Sequence, residues 1–159
     1  QFVQADAASR RGLTQVLGRT GGSLAPERGE TMAGPASAGV FIYAKYLRPL
    51  ATFYQRVLGM EERHASPEHI VLSSSHLQLV VHAIPEAIAA GIHLSVPPAR
   101  REDAAIKFFH GVPSIQDARA TAASLGGEVF AEQWSGPGFT VCNAMDPEGN
   151  VFQVRESAP

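Results

Sequence analysis

Hydrophobic and polar positions along the chain follow a rhythm that begins at Gly39 and is used twice. Val40 to Ala44 (VFIYA) is β-branched and aromatic, which predicts a buried strand. Leu47, Leu50, Ala51, Tyr54, Val57 and Leu58 then recur at helical spacing, with Pro49 in the first turn and Gly59 as the stop. Three strand-like segments follow, Met60 to His64, His69 to Ser73 and Leu77 to Ala83, separated by Ser-Pro-Glu and Ser-Ser turn signals. After a Pro- and Ala-rich connection from Ile84 to Ala105, the order starts again with a strand over Ile106 to Val112 (IKFFHGV). Ser114 and Asp117 make a capping-box-like helix start, Ile115, Ala118, Ala122 and Leu125 form the apolar stripe, and Gly126-Gly127 ends it. Strands over Glu128 to Ala131, Phe139 to Ala144 and Val151 to Arg155 complete the round, the last two joined by the turn Asp146-Pro147-Glu148-Gly149-Asn150. The two Leu-Gly helix ends lie 67 residues apart and the two helix starts 68 apart, so one β-α-β-β-β unit is repeated.

The first 38 residues differ. Gly18 to Gly39 is rich in Gly, Pro and small polar residues, with little to bury, which predicts a flexible arm. Met32 stands just before the first strand, so residues 1–31 are expected to be upstream or introduced sequence. The division is then an arm over 1–38 and a domain over 39–156, with repeat one at about 39–84, a linker at about 85–105 and repeat two at about 106–156. The length of 159 residues suits one such domain. Thirteen Lys plus Arg against fifteen Asp plus Glu, scattered along the chain, lack the basic footprint of a nucleic-acid binder. The longest apolar runs are far short of a membrane span. A single cysteine, Cys142, allows no internal disulfide and no cysteine zinc site; a buried, inert thiol in a reducing, cytoplasmic setting is the expectation.

The run FYQRVLGM (Phe53 to Met60), the helix ending Leu125-Gly126-Gly127-Glu128-Val129, and DPEGNVFQV (Asp146 to Val154) together resemble the vicinal oxygen chelate superfamily, which includes glyoxalase I, bleomycin and fosfomycin resistance proteins, extradiol dioxygenases and methylmalonyl-CoA epimerase. The resemblance covers about residues 39–156. It implies an α+β fold of two tandem βαβββ modules forming a curved mixed sheet with a cleft, the helices outside. It also implies where a metal would be held: on inward faces at the start of the first strand and the middle of the last strand of each repeat. Those places are Gly39, Gln78, Lys107 and Gln153. Glycine offers no donor. Lysine binds a metal only as the neutral amine, which costs about 4–5 kcal/mol at pH 7 from an ordinary pKa near 10.4. Two amides supply only neutral oxygens where His and carboxylate are usual. The usual metal, and any other cofactor, is therefore not expected.

Strand periodicity then gives the cleft lining as Phe41, Tyr43, Gln78, His82, Lys107, Phe109, Gln153 and Arg155, with Leu77, Leu79, Val81, Phe108, Phe152 and Val154 facing the helices. Aromatics beside amides and cations suit a planar, anionic guest. Among the histidines, His64, His69 and His76 are expected in solvent near hairpin ends, His93 in the linker, and His110 under the second helix. Only His82 falls on the cleft face, as a rim residue or a general acid or base. Trp134, read onto a Gly-Pro loop, is either a lid over the cleft or packed on a neighbour. The function expected first is metal-independent binding or sequestration of a small aromatic or anionic molecule by a homodimer. Against it stand a metal-dependent lyase, isomerase or dioxygenase of the glyoxalase type with atypical ligands, drawing on His82, Gln78 and Gln153, and a regulatory domain with a degenerate cleft. Catalytic residues are not assigned.

Overall fold

A computed structural model describes residues 38–158; the arm expected over 1–38 lies, apart from Ala38, outside the described residues. The elements run β1 (Gly39–Ala44), α1 (Leu47–Leu58), β2 (Glu61–Ala65), β3 (His69–Ser73), β4 (Gln78–Ala83), α2 (Glu86–Ala89), β5 (Phe109–Gly111), α3 (Ile115–Ser124), β6 (Glu128–Gly136), β7 (Phe139–Met145) and β8 (Val151–Ser157). They form two four-stranded mixed sheets, β1-β4-β3-β2 and β5-β8-β7-β6. In each, the first strand of a module pairs parallel with its last, and the remaining pairs are antiparallel. This is the α+β architecture of two βαβββ modules. Three differences from the sequence reading bear on the site or the connection, beside shifts of one or two residues at other strand ends. Strand β5 keeps only three residues of the seven expected, so Lys107 precedes it. Strand β6 runs on to Gly136, so Trp134 sits in a strand rather than a loop. The short helix α2 stands in the connection that sequence left without structure.

Alternation decides which face is buried. Leu79 and Val81 of β4, and Phe152 and Val154 of β8, join one apolar cluster with helices α1 and α3. The helices pack on each other and on the sheets, and the opposite sheet faces carry the candidate site residues. Helix α1 ends where Gly59 takes the left-handed conformation at φ 64° and its N–H bonds to Gln55. Helix α3 begins as its sequence indicates, with the Ser114 hydroxyl accepting the Asp117 amide.

Helix α1 has no cap of its own. Its N-cap residue, Tyr46, offers no side-chain bond. Instead Glu148, about a hundred residues later in the β7–β8 turn, accepts the amides of Lys45 at 2.9 Å and Tyr46 at 2.7 Å. The same turn holds Asp146, fully buried, whose carboxylate accepts the Tyr54 hydroxyl, the Asn150 side chain and the Glu148 and Asn150 amides at 2.7–2.9 Å. Burial raises the Asp146 pKa against the opposing pull of those four donors. Burial also raises Tyr54 well above its ordinary value, helped by the Asp146 charge, so the phenol keeps its proton and donates. Phe53, beside Tyr54, packs edge-on to Phe152 of β8 at 6.1 Å. A Cβ on Gly127 would run into the Phe53 ring, so a glycine is needed there. Tyr54→Phe should therefore cost about 1–3 kcal/mol by leaving a buried acceptor short of a donor. Glu148→Ala should cost about 1–2 kcal/mol by uncapping α1. Urea denaturation of each variant measures both; a loss below 0.5 kcal/mol in both, as an order of magnitude for a surface change, would refute the clamp.

Candidate functional site

The outer face of the first sheet is built by strand register. Gly39 pairs with Gln78, Phe41 with Val80 and Tyr43 with His82, so these six share the face opposite the core. Phe41 and Tyr43 are 66% and 63% exposed, too open to be core residues. Tyr43 and His82 are in contact, ring centres 5.7 Å apart. The His82 Nδ1 lies 2.9 Å from the Ala83 carbonyl. A carbonyl only accepts, so Nδ1 carries the proton and Nε2 offers the free lone pair.

The outer face of the second sheet has a different centre. Phe109 pairs with Gln153 and Gly111 with Arg155 across β5–β8, and Val141 pairs with both Arg155 and Trp134. The Arg155 guanidinium lies flat on Phe109 at 3.5 Å, with Phe139 at 5.0 Å. Among the described residues its Nε is buried without a partner, and its one hydrogen bond is a long 3.5 Å contact to the Gln153 carbonyl oxygen. The Gln153 amide in turn donates to Asn143 at 3.3 Å. An arginine fixed by stacking, with most of its donor fork unmatched, is arranged to meet an acceptor pair. Trp134, 42% exposed, stands on the same face two strands away, about 10 Å across the sheet.

The sequence reading placed eight of these residues around one cleft and left Trp134 as a lid or a packing residue; the structure sets eight of the nine in two groups, with Lys107 apart. Phe41, Tyr43, Gln78 and His82 belong to the first sheet, and Phe109, Trp134, Gln153 and Arg155 to the second. Among the described residues no hydrogen bond or aromatic contact joins the groups. Lys107 is exposed on the approach to β5 and borders, with Phe109, Leu77 and Ser74, a groove of about 600 Å³. Phe109, not Lys107, stands opposite Gln153, two residues along the same face. The set of places that would hold the family's metal is thus a glycine, two amides and either a phenyl ring or an exposed ammonium, and these do not fit such an ion.

Two contacts escaped the sequence reading. Phe139 enters as the second ring beside Arg155. His110 does not lie simply under α3: its Nε2 is 3.1 Å from the Ser74 hydroxyl of the other module. Both are cross-strand or cross-module meetings with no periodic signal. Burial lowers the His110 pKa, with a smaller lowering from His76, and a backbone bond to Gly111 opposes them.

The comparisons with known proteins agree with this architecture. A family model described as a glyoxalase-like domain matches residues 39–155. Among solved structures, a glyoxalase/bleomycin resistance protein/dioxygenase family enzyme from Burkholderia phytofirmans is 19% identical, covers 77% of this chain and 99% of its own, and superposes with a TM-score of 0.56. The fosfomycin resistance protein FosX from Listeria monocytogenes is 12% identical over 78% of this chain and 94% of its own, with a TM-score of 0.55. A glyoxalase-related enzyme from Fulvimarina pelagi is 15% identical over 76% and 86%, with a TM-score of 0.53. At these identities the likeness is one of fold. A sequence search of curated proteins returned no match. No helix among the described residues is long and apolar enough to cross a membrane.

The His110 shift carries a sign that can be measured. A pKa lowered by folding means the unfolded chain takes up the proton first. His110 should thus leave stability intact above the unfolded value of about 6.5 and erode it as pH falls through that value. Denaturation midpoints between pH 8 and pH 5 should fall less steeply in His110→Gln than in the wild type; equal slopes would refute the assignment. The match over residues 39–155, together with the paired β-α-β-β-β modules, places this chain in the glyoxalase-like domain family.

Proposed function

We propose that the protein binds a small planar anion, without a metal, on the outer face of its second sheet. The observation that carries the reading is Arg155, held flat on Phe109 with its donor fork unmatched. A carboxylate or phenolate would meet the guanidinium edge, because Phe109 covers one of its faces and its N–H donors point along the edge. The ring of such a ligand would lie over Val141 toward Trp134, and Gln153 and Asn143 would orient its polar edge. Lys107 adds a positive charge beside Phe109.

The reading includes a homodimer. Phe41 and Tyr43 on the first sheet and Phe109 on the second are more than half exposed, and large aromatics on outer sheet faces are costly to leave in water. A second copy packing its outer faces against these would supply the missing wall, making each cleft from two chains. The mismatch of donors at Gly39, Gln78, Lys107 and Gln153 supports binding over metal-assisted lyase, isomerase or dioxygenase chemistry.

A thermal-shift series with benzoate, salicylate and nitrophenolate tests the reading. Wild type should be stabilised, by about 2.7 kcal/mol at a concentration one hundred times Kd. Arg155→Ala and Arg155→Lys should both lose the shift, because a point charge does not replace the fork. Phe109→Ala should weaken all three ligands, and Lys107→Ala should do so more mildly. EDTA should leave every affinity unchanged; dependence of binding on a removable ion would favour the metal-dependent reading. Light scattering should give twice the chain mass, and a monomer that still binds would remove the two-chain cleft.

A further inference from the structure

The first sheet carries a row of histidines that the anion-binding face does not use. His82 of β4 and His69 of β3 are direct cross-strand partners, with ring centres 6.1 Å apart and planes 13° from parallel. On the other side of His69, His64 of β2 approaches to 5.1 Å at 33°. His64 pairs with Val71, two residues from His69, so the two are diagonal neighbours on one face. A β-bulge between Glu62 and His64 sets the direction of that side chain.

These spacings can be compared with what a shared ion demands. With zinc–nitrogen bonds of about 2.0–2.1 Å, an imidazole centre lies about 3.2 Å from the ion, and a tetrahedral angle separates two such centres by about 5.2 Å. The His64–His69 separation matches this. The His69–His82 separation is close to the limit of about 6.4 Å for two rings in line with an ion, which makes His82 a stacked support. The rings also have the polar neighbours that orient metal-binding imidazoles: Ser66 Oγ at 3.3 Å from His69 Nδ1, and the Ala83 carbonyl at His82. The nearest cation on β2, Arg63, is paired with Glu61 at 2.9 Å, which reduces its repulsion of an ion. Among the described residues, no group of three or more His, Cys, Asp or Glu is gathered to encage an ion. Any site here is therefore open, with water in the remaining positions.

We propose that His64 and His69 form an open, two-imidazole site for a divalent ion of the zinc, copper and nickel class. Imidazole suits these ions, whereas calcium and magnesium require oxygen donors. The site lies on strands β2 and β3, away from Arg155, and stands independently of the anion-binding reading.

Titrating the full chain with Cu²⁺ or Zn²⁺ alone, followed by calorimetry, tests it. One saturable site is expected, absent for Ca²⁺, which requires oxygen donors. His64→Ala and His69→Ala should each lower affinity at least about tenfold, and His82→Ala less. Pulsed electron paramagnetic resonance of the copper form should report two coordinated imidazoles in wild type and one in His64→Ala. His69→Gln, with circular dichroism, confirms that the loss occurs in a folded chain. Arg155→Ala should bind the ion as wild type does, which separates this proposal from the previous one. No saturable uptake, or uptake unchanged in both His69 variants, would overturn it.

Discussion

Two carboxylates on one turn hold the modules together. Asp146 and Glu148, both buried, reach back across the chain to Tyr54 and to the amides of Lys45 and Tyr46 that lead into α1. A carboxylate removed from water is tolerated only where donors replace its hydration, and here the turn supplies three donors to Asp146 while the first module supplies Tyr54 to it and both amides to Glu148. The turn therefore cannot form its bonds unless α1 is in place, and α1 lacks its cap unless the turn is in place. That mutual dependence fixes how the helical layer sits between the turn and the first sheet. The sheet faces turned away from that layer follow from it.

Those faces are unlike each other. The first sheet presents Phe41, Tyr43 and three histidines; the second presents an arginine stacked on phenylalanine, two amides and a tryptophan. Each is rich in rings and in donors, and among the described residues neither gathers three or more imidazoles and carboxylates around one point. Within one fold, the two outer faces thus carry different side-chain chemistry at corresponding strand positions. The glyoxalase-like framework tolerates this because its core residues alternate with the outer ones along every strand, so the outer set can change without disturbing the inner.

Some of the site was legible beforehand and some was not. Alternation placed Tyr43, His82, Gln153 and Arg155 on outer faces, because period-two patterning in a half-buried strand assigns faces without reference to partners. It misplaced Lys107 by assuming that Ile106 to Val112 formed a full strand, when only Phe109–Gly111 finds a partner in β8. It also put Trp134 on a loop, since Ser135, Gly136 and Pro137 read as a turn, although the β6–β7 ladder extends to Gly136. The Phe139 contact and the His64–His69–His82 row depend on which strands are neighbours, a long-range fact absent from local spacing.

By itself the amino-acid order determined the repeated β-α-β-β-β unit, the helix limits at Leu47, Gly59 and Ser114, and the face assignments along β1, β4 and β8. These are local properties, set by side-chain chemistry and by the periods of helix and strand. Only the tertiary structure decided that Phe53, off the predicted stripe of α1, is buried. The reason is that β8 presents Phe152 to the side of the helix away from its own sheet. It alone turned the Asp-Pro-Glu-Gly-Asn turn into a cap for a distant helix, and divided the candidate residues between two faces. Such outcomes depend on pairing between segments far apart in the chain, which no window of sequence contains.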